Sequence, residues 1–348
     1  MFLQQYNKSI KHLRSRESTQ PVQITLTCCI LFICLENLAG NYDTALAHLK
    51  NGLNILQDWH AKGAISASDD QIREKITQAF RRLDMQATVF LNSRVPQINA
   101  TSIGGNAEED KCSPASFTSL GEAQTALEMI QMRLFYVLTV KSSPDIPSYS
   151  LLNKFLPTRE ILLPALGARL KQWKEAFDAL SACESATMQT KDLQLSVLLG
   201  LHYLTISTML EVGSRPLYTV TVPHVANAKM SRQLSGGAIF MRPPDPSDDF
   251  KFRKINELSK SLINSVTKAT FSADIGVIAP LYFSAVEAPD SNVRQQAIEL
   301  LRLVKWKEGF WCAETAATIA EKALQAKETT GIQLSGGVPE LAKVYCVN

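Results

Sequence analysis

The stretch ITLTCCILFICLENLAGNYDTALAHLKNGLNILQDW, residues 24–59, decides the predicted fold. Its first half, Ile24–Leu38, is almost wholly apolar and predicts a helix that is buried on most sides. Gly40 then suits a left-handed C-terminal cap, and Asn41 or Asp43 can cap the helix that follows. Together the two helices predict an αα-hairpin. The second helix places its apolar residues on one stripe, at steps of one, four, four and three: Ala45, Leu46, Leu49, Leu53 and Leu56.

Length and composition describe a globular chain. Its 348 residues are enough for one large or two ordinary domains. The hydrophobic share of 45%, the charged share of 20% and the net charge of +3 are typical of a soluble protein and do not by themselves indicate nucleic-acid binding. We expect no membrane segment, because the longest apolar runs are too short or are interrupted by polar residues. Seven scattered cysteines are typical of reduced, intracellular thiols.

The remaining periodic segments also have a helical spacing, so the predicted fold class is all-α, built from stacked helical hairpins. We expect at most one minor strand pair, near Leu217–Val222, although nothing nearby pairs with that segment convincingly. The predicted organisation is an N-terminal hairpin region (1–94), a linker (95–121) and a helical region (122–348) with an irregular segment at 213–249. These parts are expected to form one continuous helical domain. The further predicted helices are Phe2–Leu13, Asp69–Asn92, Glu122–Val140, Thr158–Ala182, Lys191–Leu210, Phe250–Ala269 and Ala313–Lys327.

Several of these helices have residues that we expect to face inward. In Thr158–Ala182 they are Trp173 and Phe177. In Asp69–Asn92 they form one apolar side: Ile72, Ile76, Phe80, Leu83 and Val89.

The N-terminal hairpin carries two resemblances. Gly40-Asn41-Tyr42-Asp43 followed by Ala45 resembles the middle of a tetratricopeptide repeat, in which two helices approach closely. A longer pattern is similar to the regulatory domain of fungal zinc-cluster transcription factors, which carry an N-terminal Zn2Cys6 DNA-binding module. Its residues are Cys29-Ile30-Leu31-Phe32, Glu36, Asn41-Tyr42-Asp43, Ala45, His48-Leu49 and Gly52-Leu53.

The C-terminal part resembles the same family in a second place. Residues 274–285, DIGVIAPLYFSA, are similar to its Gly-hydrophobic-Pro-Leu-Tyr/Phe helix. Asp290 or Ser291 is expected to cap the next helix, whose Arg294–Leu301 segment resembles an Arg-x-x-Ala-x-x-Leu-Leu helix. Glu308-Gly309-Phe310-Trp311 then resembles the family's Glu-Gly-x-Trp. The two segments occur in the family's order.

The chain departs from the family in the DNA-reading module. That module needs six thiolates, in pairs spaced C-x2-C, to hold two zinc ions, and this sequence contains no C-x2-C pair. We therefore expect no metal site, and no sequence-specific DNA binding by this chain alone. A truncated copy of a regulator, or a gene model with read-through sequence, remains an alternative.

Other candidate chemistry is weak. Cys28, Cys29 and Cys34 lie close together, but no histidine is spaced to join them, so core packing is the preferred interpretation. His48 and His60 are interpreted as an edge histidine and a histidine of a C-terminal turn, not as catalytic bases. We accordingly expect no enzyme activity, no catalytic residue and no cofactor.

The resemblance implies a transcription regulator-like protein of a fungus, located in the nucleus, that controls a pathway or a secondary-metabolite gene cluster. It would act through protein contacts or an effector pocket. The expected partners are a related full-length zinc-cluster regulator, the transcription machinery or a second copy in a homodimer. The alternatives are a tetratricopeptide-like scaffold unrelated to transcription and a non-functional truncated regulator. An α-helical enzyme would need a pocket with perturbed polar residues, and the sequence identifies none.

Overall fold

The computed structural model describes residues 21–61, 67–91, 97, 116–140, 159–184, 190–214, 218–221, 238–241, 248–266 and 271–330. In these ranges it contains ten helices and five short strands, which confirms the predicted all-α class. The predicted helix Phe2–Leu13 and most of the predicted linker 95–121 lie outside the described residues. The tetratricopeptide-like detail and the domain boundaries stay predictions. The helices are α1 (Val22–Ala39), α2 (Tyr42–Ala61), α3 (Ala67–Leu91), α4 (Leu120–Val140), α5 (Arg159–Glu184), α6 (Thr190–Ser214), α7 (Asp249–Ser265), α8 (Ile278–Glu287), α9 (Ser291–Leu303) and α10 (Ala313–Thr330).

The predicted hairpin is formed by α1 and α2, and Gly40 closes α1 as expected. Its φ of 82° is left-handed, and its N–H donates to the Asn37 carbonyl at 3.2 Å. Asn41 begins α2, because its carbonyl accepts from Ala45 N–H at 3.0 Å. Its side-chain amide, however, donates back to Glu36 Oε2 at 2.7 Å and so ties α2 to the end of α1. The stripe predicted for α2 is buried, apart from the partly exposed Leu46.

Helix α3 packs against this hairpin through its predicted apolar side, with one error. Phe80 is buried against Gly52 of α2, where an added Cβ would lie 2.4 Å from the Phe80 ring. Ile76 and Leu83 are buried as well, but Ile72 is 47% exposed, so its predicted inward position is wrong. The Val89 side chain lies outside the described side chains.

The prediction that α1 is buried on most sides is wrong. One face contacts α2 and α3, and the opposite face leaves Ile24, Leu31 and Leu38 exposed. By length and composition alone, Val22–Ala39 and Thr190–Gly213 could each cross a membrane, and 28% and 39% of the 18-residue apolar stretch of each are buried. Core helices of water-soluble domains satisfy the same criterion.

Two further groups of helices follow. In α4, α5 and α6 the core surrounds Trp173, whose ring stacks on Phe177 at 4.8 Å and whose Nε1 donates to the Ala123 carbonyl at 2.8 Å. The inward positions of Trp173 and Phe177 are therefore confirmed. Helices α7 to α10 form the C-terminal core. Asp290 caps α9 as predicted, because its carboxylate accepts from Asn292 N–H at 2.9 Å.

The strands correct the expectation of at most one pair. The first strand, β1 (Tyr218–Thr221), pairs antiparallel with β2 (Ala238–Met241), so the segment near 217–222 does have a partner. A second sheet joins β3 (Phe271–Ser272), β4 (Lys307–Glu308) and β5 (Trp311–Cys312), with β3 parallel and β5 antiparallel to β4. This second sheet is short, but it brings together the two C-terminal segments that carry the family resemblance.

Candidate functional site

The strongest candidate site is the place where residues 271–278 and 306–312 meet, which we call the central junction. Its centre is the Glu308 carboxylate, with 2% of the residue exposed. Helix α8 begins beside it, and the backbone N–H groups of Gly276, Val277 and Ile278 donate to the carboxylate at 2.9, 2.9 and 3.0 Å. The indole Nε1 of Trp306 donates a fourth hydrogen bond at 3.0 Å. Glu308 thus satisfies N–H groups that the first turn of α8 would otherwise leave without acceptors.

Burial and hydrogen bonding act on Glu308 in opposite directions. Removal from water raises the pKa of the carboxyl group, since burial disfavours its charged form. The backbone and indole donors oppose this rise by stabilising the carboxylate. A carboxylate already bound by four donors is a structural cap and is poorly placed to act as a general base.

Two glycines allow this close approach. A Cβ on Gly276 would lie 2.3 Å from Glu308 Oε1, so a side chain there would displace the carboxylate. Gly309 has a φ of 53°, and its N–H donates to the Ser272 carbonyl at 2.8 Å. A Cβ on Gly309 would lie 1.4 Å from Gln86 Oε1 of α3. The Glu-Gly pair is therefore required by the backbone conformation and by the packing around it.

The junction reaches the three N-terminal helices, α1 to α3, through three contacts. Lys307 Nζ donates to the carbonyls of Asn37 and Leu38 at 3.3 and 3.2 Å, at the C-terminal end of α1, where a cation is favoured. Gln86 Nε2 donates to the Ala273 carbonyl at 2.6 Å. Phe310 is fully buried among the apolar residues of α1, α2 and α3. Phe310 thus completes the apolar core formed by α1, α2 and α3.

Arg82 connects the junction to a third part of the fold. Its Nε lies 2.9 Å from a carboxylate oxygen of Glu128 on α4, and its Nη1 lies 2.9 Å from Asp274 Oδ1. Burial raises the pKa of Glu128, and the Arg82 charge opposes that rise. His202 of α6 contacts the Gly276 carbonyl through Nε2 at 3.0 Å, and burial lowers its pKa. Helices α3 and α6 therefore contact residues 274–276 directly, and α4 is joined to them through Arg82.

The C-terminal side of the junction is mostly apolar. Trp311 packs on Tyr282 of α8 with ring centroids 5.4 Å apart, and burial raises the pKa of that tyrosine. Behind it, Asn256 of α7 donates to the Val293 carbonyl at 3.0 Å and accepts from Ser284 Oγ at 2.8 Å. This buried amide holds α7, α8 and α9 in one arrangement.

The structure places the other candidate residues away from the junction. His48 lies with its ring 5.4 Å from that of Phe32, and His60 Nε2 lies 3.0 Å from Thr77 Oγ1. Burial raises the pKa of Cys29 and Cys34, opposite to what a reactive thiolate requires. Within the described residues, no group of three or more His, Cys, Asp or Glu side chains could hold a metal ion.

Sequence reasoning identified the two signature segments but missed the residues that connect them to the rest of the chain. Arg82 and Gln86 lie four residues apart on α3, and that spacing places both on one helix face. His202 lies within an apolar run, and a polar residue in such a run signals a buried hydrogen bond. Both signals are present in the sequence, but the residues that Arg82, Gln86 and His202 contact at the junction are far away along the chain.

Comparison with known proteins finds a distant sequence similarity to a fungal regulator of transcription. The chain is similar to the aspercryptin biosynthesis cluster-specific transcription regulator of Emericella nidulans, with 21% identity over 390 residues. The match covers 94% of this chain and 62% of the relative, so the chain spans less than two-thirds of that protein's length. No family model and no solved structure matches the chain. The similarity is consistent with the family resemblance found in the sequence.

Proposed function

We propose that the chain is a regulatory protein of fungal transcription that acts in the nucleus on a pathway or secondary-metabolite gene cluster. The observation that carries the proposal is the similarity to a cluster-specific transcription regulator, which extends over 94% of the chain and is not confined to one motif. The two segments that resemble zinc-cluster regulators, 274–285 and 308–311, also meet in the central junction, where Glu308 contacts Gly276, Val277 and Ile278. Because the two segments contact each other in the folded chain, there is a physical reason for both to occur in the same sequence.

The junction favours a regulatory protein over an enzyme. Its buried carboxylate is bound by four donors, and its partly buried arginine, Arg82, is paired with two carboxylates. Groups occupied in this way hold helices in place and have little capacity left for a substrate. We therefore propose a non-enzymatic role carried out through protein contacts or an effector, with a related full-length regulator, the transcription machinery or a second copy as the partner.

We further propose that this chain alone does not read DNA sequence. Specific readout needs a rigid element that places side chains against base edges, and the 348 residues contain no C-x2-C pair to build a zinc cluster. A net charge of +3 supports only salt-sensitive, non-specific binding, with a Kd of roughly 10⁻⁴ to 10⁻⁶ M. Fluorescence titration at physiological salt tests this, and a promoter bound more than about a hundredfold tighter than scrambled DNA would contradict it.

A tethering experiment tests the regulatory role itself. The full chain is fused to an unrelated DNA-binding domain and expressed in a fungal host with a matching reporter gene. We expect reporter transcription to change, because the tether supplies the DNA contact and the chain recruits its partner. Glu308→Ala, which removes the carboxylate at the junction, should abolish the effect, whereas Glu314→Ala on the exposed side of α10 should preserve it. A folded wild-type fusion that leaves the reporter unchanged would refute the proposal.

The second candidate is a tetratricopeptide-like scaffold unrelated to transcription. The close packing of Phe80 on Gly52 favours it, because small residues at helix contacts are typical of such repeats. In that case deletion of the gene should leave the transcript profile of biosynthetic gene clusters unchanged. The proposed regulatory role requires at least one such cluster to change its expression.

A further inference from the structure

The segment that connects α9 to α10 contacts two different parts of the fold. Residues 306–312, which we call the strap, contain the hairpin of β4 and β5. Successive side chains of a strand point to opposite faces, so neighbouring residues can reach different parts of the molecule. In the strap, Lys307 and Phe310 contact the N-terminal helices, whereas Glu308 and Trp311 contact the C-terminal helices.

On its N-terminal side the strap completes the core of α1, α2 and α3. Phe310 is fully buried, and it is the one described member of that apolar cluster that lies outside these three helices. Lys307 Nζ donates to the carbonyls of Asn37 and Leu38 at 3.3 and 3.2 Å, so the strap also binds the polar end of α1. Removal of a phenylalanine ring from such a core leaves a cavity and weakens the helices around it.

On its other side the strap completes the start of α8 and the C-terminal core. Glu308 accepts hydrogen bonds from the three N–H groups of residues 276–278. Trp311 is buried in the C-terminal core and packs on Tyr282, with ring centroids 5.4 Å apart. Displacement of the strap therefore takes the acceptor away from those N–H groups and the indole ring away from that core.

The two sides of the strap are joined too closely to separate one at a time. Lys307 and Glu308 are adjacent, with Cα atoms about 3.8 Å apart. The turn between β4 and β5 consists of Gly309 and Phe310. Because Phe310 is fully buried, it leaves the core when the backbone of the hairpin moves with it, and that movement pulls Glu308 away from residues 276–278. Packed elements of this kind change between discrete arrangements, since cores do not deform continuously.

We propose that the strap is a conformational switch, docked on both parts of the fold or released from both. Binding to α1, α2 and α3 that favours the docked arrangement then also stabilises the start of α8, and the reverse holds with the same coupling free energy. A partner that occupies the position of Phe310 releases the start of α8 at the same time. This inference concerns the fold and is independent of the proposed role in transcription.

Hydrogen–deuterium exchange of the full chain, resolved to short peptides, tests the proposal. Phe310→Leu and Phe310→Ala weaken the N-terminal side of the strap by increasing amounts and leave Glu308 unchanged. We expect the amides of residues 276–278 to exchange at least roughly tenfold faster in Phe310→Ala, because the released strap no longer protects them. Phe310→Leu should give a smaller increase, and it provides the same comparison if the alanine variant does not fold.

Leu26→Ala is the matched control. Leu26 is fully buried in the same core, but it lies eleven residues, about 16 Å of helix, from Asn37, where the strap meets α1. This change should speed exchange within α1, α2 and α3 and leave residues 276–278 unaffected, because it weakens those helices equally in the docked and released arrangements. The proposal fails if the Phe310 variants speed exchange in α1 to α3 alone, or if Leu26→Ala affects residues 276–278 as strongly as they do.

The reverse measurement starts from the C-terminal side of the strap. Trp311→Leu weakens the packing on Tyr282, and we expect faster exchange in α1, α2 and α3 because release of the strap withdraws Phe310 from their core. Val293→Ala changes a buried residue of the same C-terminal core at the far end of α9 and should leave α1 to α3 unchanged. Unaltered exchange of α1 to α3 in Trp311→Leu would show that the two sides of the strap act separately.

Discussion

Replacement of Glu308 by alanine tests whether the central junction holds the C-terminal half of the chain together. The change removes the acceptor for the N–H groups of Gly276, Val277 and Ile278 and for the indole of Trp306. Loss of a helix cap costs about 0.5–2 kcal/mol, and a hydrogen bond to a charged group contributes about 1.5–3 kcal/mol. These contributions are not additive, and the variant no longer buries a charge, which offsets part of the loss. We expect a net decrease of roughly 2–4 kcal/mol in the free energy of unfolding.

Urea unfolding measures this decrease. Circular dichroism follows the helices, and tryptophan fluorescence follows the four tryptophans, of which Trp306 and Trp311 lie at the junction. The midpoint should fall by about 1 M urea if the slope of the transition is unchanged. Two controls separate the cap from a general effect of removing a glutamate. Glu308→Gln keeps the shape and should cost less than alanine, and Glu314→Ala, at an exposed residue, should cost less than about 0.5 kcal/mol.

One result would refute the reasoning. If Glu308→Ala changes the free energy of unfolding by no more than Glu314→Ala does, the four hydrogen bonds contribute nothing net. The carboxylate would then be a buried charge whose desolvation cancels its contacts.

Two further predictions concern residues that contact the junction. Burial lowers the pKa of His202 in the folded chain below its unfolded value, so the unfolded chain binds the proton first and stability is lost as the pH falls through about 6.5. Urea titrations between pH 7.5 and 5 should therefore show that the free energy of unfolding depends less on pH in His202→Gln than in the wild type. His48 and His60 are present in both proteins, so they do not contribute to the difference. An equal change of the free energy of unfolding with pH in the two proteins would contradict this. Gly309→Ala should cost about 2–4 kcal/mol, from its left-handed φ and the contact with Gln86. Adding Gln86→Ala should recover part of that loss in the double variant, and full additivity of the two changes would exclude the steric explanation.

The sequence predicted elements whose apolar residues have a clear period. Helix α2 has one apolar and one polar face, so the spacing of its apolar residues correctly predicted that Ala45, Leu49 and Leu53 are buried. Helix α1 is apolar all round, and such a pattern cannot tell which face packs and which stays exposed. For this reason the prediction that α1 is buried on most sides was wrong, and Leu31 lies exposed on its outer face.

Contacts between distant segments could not be predicted in the same way. The pairing of Tyr218–Thr221 with Ala238–Met241 depends on a connection that carries no hairpin signal. The cap from Glu308 to Gly276 crosses 32 residues, and nothing local in the sequence indicates it. Resemblance identified both segments as important, whereas their contact is a property of the folded chain alone.

Helix α1 is where the two ends of the family resemblance meet. Lys307 donates to the carbonyls of Asn37 and Leu38 at the C-terminal end of α1. Those carbonyls lie within the N-terminal pattern that resembles zinc-cluster regulators, and Lys307 directly precedes Glu308 of the C-terminal pattern. The two patterns are separated by about 270 residues in the sequence, yet they touch in the folded chain. Their joint occurrence therefore has a physical reason, because each supplies groups that the other needs at this contact.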